Sequence, residues 1–356
     1  TAAAVYMNVA DDSTKLILDG SHLEVDGKLT ITNNGANYNG RIILQNTSTL
    51  DVYDNLEMTR NGGDQKFRME VSNSSNIIVG RGLEVNSTGG SGEDSELRLE
   101  NTALLQVDED IILNYSAGPR IYFNLNDTSV ITAKRDIDLS TSAANTIEIE
   151  AKDTSTIKVA RNISRGSPAY GTVSFNNNST LILNGQSYLQ TLASTDGAGG
   201  DSIRYQNVTI DNKKIATPQV SLGGPVYVNG TLDLHDGIVS STSASLLTMG
   251  TSATINGGSD TSFVDGPLRK YGNDAFTFPI GDDNNYQPLS ITAPTNPSDG
   301  YTAEYINQDP DDSYSRSSRD TTLDNISSVE YWSLERNSGT SEVQATIGWN
   351  ENSECI

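Results

Sequence analysis

The feature that most constrains this chain is a repeat with a fixed internal step. Asn46-Thr47-Ser48-Thr49-Leu50-Asp51-Val52 aligns with Asn73-Ser74-Ser75-Asn76-Ile77-Ile78-Val79, and segments led by Asn101, Asp127, Asp153 and Asn177 follow the same plan. Nine residues after each lead Asx stands a second turn position: Asn55, Gly82, Asp110, Asp136, Asn162 and Gln186. The lead positions themselves are separated by 27 (46 to 73), 28, 26, 26 and 24 residues. A constant step inside a slightly variable repeat means one supersecondary unit stacked many times.

Each unit reads as three short strands. Apolar residues alternate before the lead Asx (Phe67, Met69, Val71), after it (Leu50, Val52) and after the second turn (Leu56, Met58). Period-two alternation buries one face of a strand and solvates the other. Asn, Asp and Gly mark the corners because they tolerate the left-handed backbone of a tight bend. With no helical stretch between strands, the expected fold is all-β: a right-handed parallel β-helix of three-strand coils, each about 26 residues long. The handedness comes from the general preference of parallel crossovers. The expected ladder is Asn46, Asn73, Asn101, Asp127, Asp153 and Asn177 in one column, with side-chain amides bonded along it. The inward row is Leu50, Ile77, Leu105, Ile131, Ile157 and Leu181.

All length variation falls between the third strand and the next coil, in small polar segments such as Ser87–Ser95 and Ser194–Gly200. Few aromatic or basic residues stand there to grip a ligand. Hydrophobic residues make up 35 % of the 356, thin for a globule but sufficient for a solenoid needing one inward row per strand. A formal net charge of −23 and a pI near 4.3 disfavour nucleic acid and anionic membranes as partners. No stretch is apolar enough to span a bilayer as a helix, so no membrane insertion is expected. A lone cysteine, Cys355, permits no intrachain disulfide. Neither end reads as a natural terminus, and a fragment of a longer chain is the expectation.

From about residue 202 the repeat loosens, and near Gly266-Pro267 the texture changes. Prolines 279, 288, 294, 297 and 310 appear, with both tryptophans and several tyrosines, and short strand-like runs suggest a small antiparallel β-sandwich. The expected domains are therefore 1–265, a parallel β-helix, and 266–356, a sandwich truncated at its C-terminal end.

Several runs here carry a resemblance. They are Val228-Asn229-Gly230-Thr231-Leu232-Asp233-Leu234, Ser262-Phe263-Val264-Asp265-Gly266-Pro267-Leu268, Phe276-Thr277-Phe278-Pro279-Ile280-Gly281 and Glu330-Tyr331-Trp332-Ser333-Leu334. As a string over roughly 222–356 they resemble large secreted β-solenoid surface proteins of the Bacteroidetes. The resemblance implies export by type IX secretion, a bacterial cell-surface location and an adhesin-like role, with other domains or copies of a larger surface protein, and glycans, as partners. It also implies O-glycan attachment at Ser or Thr following Asp, which nominates Ser13, Ser202 and Thr321.

Chemistry-bearing motifs are sparse. His22 and His235 stand without a His-X-His or cysteine companion, and no nucleophile elbow, P-loop or dinucleotide fingerprint occurs. No cofactor is expected. Calcium is the one ion considered, at Asp282 and Asp283 or at Asp309 and Asp311, because it takes carboxylates from flexible loops. Asp108, Asp110, Lys134, Arg135, Asp136 and Arg161 fall on neighbouring corners. They read as an ion-paired outer face, or alternatively as the site of a β-helix polysaccharide lyase or glycoside hydrolase. The expectation is a non-enzymatic extracellular stalk or filament protein that presents binding surface.

Overall fold

The computed structural model describes residues 4–9, 14–34, 40–62, 67–90, 92–322, 326–349 and 353. It is all-β, with parallel coils stacked into a solenoid of about nine turns at a spacing of about 26 residues, and antiparallel sheets near the C-terminus. No α-helix occurs among the described residues; two 3-10 turns cover Pro310–Asp312 and Arg316–Ser318. The chain divides into two compact units, 1–208 and 209–356.

In the first unit three parallel ladders are built from strands recurring one per coil. One sheet runs from Val5–Val9 to Ile163–Arg165, and another from Lys15–Asp19 to Ile203–Arg204. The third begins at His22–Val25 and passes through Thr49–Val52, Asn76–Val79 and Leu104–Val107 to Thr180–Leu183. Its strands alternate half-exposed and buried residues, as the sequence pattern requires. Leu50, Ile77, Leu105, Ile131, Ile157 and Leu181 stand opposite one another in register and are at most 1 % exposed. Each such side chain contributes roughly 1.5–3 kcal/mol by leaving water.

The interior is not wholly apolar. Asn33 and Ser87 both stand opposite Arg60, and all three are buried. The Arg60 guanidinium donates to the Glu93 carbonyl, and the Ser87 hydroxyl donates to the Pro119 carbonyl at 2.8 Å. This polar column lies where the third strand leaves the coil, so backbone carbonyls of the loops are there to receive it.

In the second unit parallel pairing joins Val220–Leu222, Val239–Ser240, Val264–Asp265 and Ile280–Asp282. Val226–Val228, Leu247–Met249 and Leu268–Tyr271 form a second parallel series. The direction then reverses. Leu268–Tyr271 pairs antiparallel with Gly300–Ile306, which pairs antiparallel with Tyr331–Ser338. Phe276–Phe278, Leu289–Ile291 and Ala345–Ile347 make a three-stranded antiparallel sheet. Parallel pairing continues to Leu268–Tyr271 and Ile280–Asp282, antiparallel pairing begins where Leu268–Tyr271 meets Gly300–Ile306, and the division into compact units falls at 208/209. The second unit thus holds parallel coils as well as antiparallel sheets.

Candidate functional site

The corner residues form two hydrogen-bonded side-chain ladders. Asn46, Asn73, Asn101, Asp127, Asp153 and Asn177 all have φ between 55° and 60°. That left-handed conformation costs most residues about 1–2 kcal/mol, and Asn and Asp adopt it most readily after glycine. The Asn73 amide donates to Asn46 Oδ1 at 3.2 Å, and the Asn46 amide to Asp19 Oδ1 at 2.8 Å. The Asn101 amide donates to Asp127 Oδ2 at 3.2 Å and that of Asn177 to Asp153 Oδ1 at 3.3 Å. Where two acids follow each other, backbone takes over: the Asp127 N–H donates to Asp153 Oδ2 at 3.2 Å. One coil earlier the left-handed position is Gly20, with φ 58°, so the column begins without a side chain.

A threonine column runs beside it. The Thr102, Thr128 and Thr154 hydroxyls donate to the carbonyls of Asn73, Asn101 and Asp127, 3.0–3.1 Å away in the preceding coil. Each carbonyl also accepts the same threonine's N–H, using both lone pairs. The sequence showed these threonines, but their role emerges only with the stacking.

At the second corner, Asn55 Oδ1 accepts the Gly82 N–H, Asp110 Oδ1 accepts that of Asp136, and Asp136 Oδ1 accepts that of Asn162, all at 2.9–3.0 Å. The next rung corrects the spacing argument. Thr191, not Gln186, donates its N–H to Asn162 Oδ1 at 2.7 Å. The Gln186 amide turns back to the Asn184 carbonyl, because the chain inserts a bend before the strand resumes at Gln190.

The charged residues near this corner are matched coil to coil. Lys134 lies 2.7 Å from Asp108, Arg135 3.5 Å from Asp110, and Arg161 3.8 Å from Asp136. On the neighbouring sheet Arg68 reaches Glu70 at 2.9 Å and Glu96 at 3.3 Å, while Arg98 reaches Glu96 at 2.7 Å. Half-exposed pairs of this kind contribute about 0–1 kcal/mol each.

Two of the first unit's shallow clefts are lined by a tyrosine. One, of about 290 Å³, is lined by Asp51, Val52, Tyr53, Ile78, Gly80 and Asp108. Gly80 leaves no room for a Cβ, which would meet the Tyr53 carbonyl at 2.6 Å. The other, of about 400 Å³, is lined by Glu93, Asp94, Glu96, Tyr122 and Asn124, and Arg120 covers the Tyr122 ring at 4.7 Å. Burial is the main cause that pushes the Tyr122 hydroxyl above its ordinary range.

His22 is not isolated, as its sequence neighbourhood suggested. Its Nε2 lies 2.8 Å from Asp51 Oδ2 and 3.8 Å from Glu24 Oε1. Among the described residues this is the one group of three metal-ligating side chains whose ligand atoms lie within 4.8 Å of each other. His235 has one carboxylate nearby, Asp211 at 3.3 Å.

The calcium candidates lie in two loops of the second unit. Asp283 and Asn284, at φ 52° and 64°, form the two-residue turn of a hairpin that pairs Asp282 with Asn285. Asp282 Oδ2 accepts the Asn307 N–H at 3.0 Å. Asp309 caps Pro310–Asp312 by accepting the Asp311 N–H at 2.9 Å, and both carboxylates hold Arg316. The hydrogen bond from that guanidinium holds the Asp309 carboxyl below its usual range. Asp265, half-buried near Asp282 and Asp283, is pushed up to about 6, first by burial and then by those two charges.

Of the glycan candidates, Ser13 lies outside the described residues. Thr321 is exposed, beside an Asp320 carboxylate that accepts both the N–H and the hydroxyl of Thr322 at 2.8 Å. Ser202 is half-buried, and its preceding Asp201 is 2 % exposed with its carboxylate engaged by Asn145, Gly171 and Thr172. No protein-family model, no curated protein and no solved structure matches this chain.

Proposed function

We propose that this chain is a non-enzymatic structural segment of a secreted surface protein, a β-solenoid stalk that carries and presents binding surface. The observation that supports it best is the continuity of the corner ladders. From Asn46 to Asn177 each coil is tied to the next by side-chain hydrogen bonds as well as by three strand ladders. In a repeat array, stability is a sum of unit and nearest-neighbour terms, so bonds that cross every coil boundary resist local opening. Resistance to opening is what an element that spaces or holds other domains under tension requires.

The outer faces fit the same reading. Matched Arg, Lys, Asp and Glu around Arg135 and Arg68 keep the strands soluble, and a net charge of −23 opposes nonspecific association. A surface location and glycan partners belong to this proposal through the resemblance over roughly 222–356.

A screen of the purified chain against acidic and neutral polysaccharides tests the reading, with reducing-end release and unsaturated-product absorbance as readouts. No turnover is expected. Sustained turnover that disappears in Asp110→Asn, Arg135→Ala or Asp136→Asn would replace the stalk with a polysaccharide-degrading enzyme.

A further inference from the structure

We propose that His22, Glu24 and Asp51 form a surface binding site for one borderline divalent transition-metal ion of the Zn²⁺, Ni²⁺ or Cu²⁺ class. The inference goes beyond the stalk reading and does not depend on it.

Two neighbouring strands build the site. His22 and Glu24 are two residues apart on His22–Val25, so pleating turns both outward. Asp51 stands directly opposite Glu24 on Thr49–Val52. Behind them Val25 and Val52 are buried, at 0 % and 1 % exposure, so the ligands rise from a packed and ordered floor. His22 Nε2 is 2.8 Å from Asp51 Oδ2 and 3.8 Å from Glu24 Oε1. A tetrahedral ion with bonds of about 2.0–2.1 Å has ligand–ligand edges of roughly 3.4 Å, between those two distances.

Charge argues in the same direction. Like charges directly opposite each other on adjacent strands are unfavourable, and Glu24 faces Asp51 in that way. Several other Asp and Glu of this unit are met by Lys or Arg, as Asp108 is by Lys134 at 2.7 Å and Glu96 by Arg68 at 3.3 Å. Among the described residues neither Glu24 nor Asp51 has a Lys or Arg within 4.0 Å; His22 is the partner of both. Asp51 Oδ1 is moreover buried without a hydrogen-bond donor. Two carboxylates and a neutral imidazole balance a divalent charge, and the free Asp51 oxygen offers it a further lone pair.

Ligand chemistry selects the ion. Ca²⁺ and Mg²⁺ favour all-oxygen shells, whereas imidazole with carboxylates suits Zn²⁺, Ni²⁺ and Cu²⁺. Side-chain exposures of 52 %, 40 % and 22 % for His22, Glu24 and Asp51 leave the remaining coordination positions to water.

Isothermal titration of the EDTA-treated full chain with ZnCl₂, NiCl₂ and CaCl₂ tests the site, alongside the visible absorption of added Co²⁺. One equivalent of Zn²⁺ or Ni²⁺ should bind, with Ca²⁺ at least ~100-fold weaker. His22→Ala, Glu24→Gln and Asp51→Asn should each weaken Zn²⁺ binding at least ~10-fold and change the Co²⁺ spectrum. His235→Ala, which removes the histidine with a single carboxylate neighbour, should leave both unchanged. All four substitutions are on outward side chains, and circular dichroism checks that the coils persist. Absence of one-equivalent uptake overturns the proposal and leaves only a His22–Asp51 hydrogen bond, and uptake insensitive to Glu24→Gln overturns it by showing that the ion is not held by this trio.

Discussion

The side-chain amide of Asn73 donates to the side-chain carbonyl of Asn46 at 3.2 Å, across 27 residues of sequence and one coil of structure. Both residues hold a left-handed backbone, with φ 59° and 55°. The corner therefore selects its residue twice, once for conformation and once for the ladder. Two substitutions separate the demands. Asn73→Gly keeps the conformation and deletes the bonds, for an expected loss of about 1 kcal/mol. Asn73→Ala deletes the bonds and forces an ordinary side chain into the left-handed region, adding a further ~1–2 kcal/mol. Urea melts of the two variants should rank in that order; equal midpoints would mean the backbone conformation has no cost at this corner.

The inward row supports a harsher test. Ile157 is fully buried between Ile131 and Leu181 in register. Ile157→Asp places an unpaired carboxylate there, at a cost of several kcal/mol, and neighbouring coils lose a packing partner with it. Hydrogen exchange should show protection lost over several coils around 157, with a markedly lower melting temperature. Protection unchanged outside a single strand would show that coils fail one at a time.

How much of this was legible follows from what each feature depends on. The lead column could be read from Asn46 onward because a constant nine-residue step and period-two alternation are local signals. Gly20 hid the coil before it, since a glycine satisfies the same φ without the Asx signature. Thr191 was hidden by the bend after Asn184, which breaks the step that placed Gln186. His22 looked solitary because its partners are one strand residue and one coil register away. Alternation puts Glu24 on the same face, and the repeat puts Asp51 beside it, so the grouping was derivable once a coil was assigned to residues 15–34. Arg60 and Asp201 were not derivable: nothing local distinguishes a buried charge from a solvated one, and the loop carbonyls and N–H groups that receive them come from distant sequence.

Asp201 makes that last point testable. Its carboxylate accepts the Asn145 N–H at 3.1 Å, the Gly171 N–H at 2.9 Å and the Thr172 hydroxyl at 3.2 Å, joining three loops of successive coils. Asp201→Ala leaves those donors buried and unmet, an expected loss of about 2–4 kcal/mol. Asp201→Asn keeps the shape but must turn its NH₂ towards donors, and should recover only part of that loss. Thermal melts of the two variants, with limited proteolysis near Ala144 and Tyr170, measure the effect. If Asp201→Ala melts like the parent, the three loops are held by their backbone alone.

Asp265 supplies the pH dependence. Burial, with Asp282 and Asp283 nearby, raises its carboxyl to about 6 from an unfolded value near 3.8. Between those values the folded chain holds a proton that the unfolded chain has released. Stability contributed by this group is therefore full below about pH 4, falls as pH rises, and is lost above about pH 6. Asp265 is half-exposed, so solvent screening reduces the effect to on the order of 1 kcal/mol. Asp265→Asn removes the titration, and its stability profile should stay flatter from pH 4 to 7 than the parent's, with the variant the more stable at pH 7. Glu304, also raised by burial and by Asp282 and Asp265, should titrate more normally in that variant because one of its repelling charges is gone. Chemical denaturation at half-unit pH steps in EDTA, to keep cations from neutralising the cluster, gives both profiles. A variant whose profile parallels the parent's from pH 4 to 7 would show that Asp265 ionises in the fold as it does in the unfolded chain.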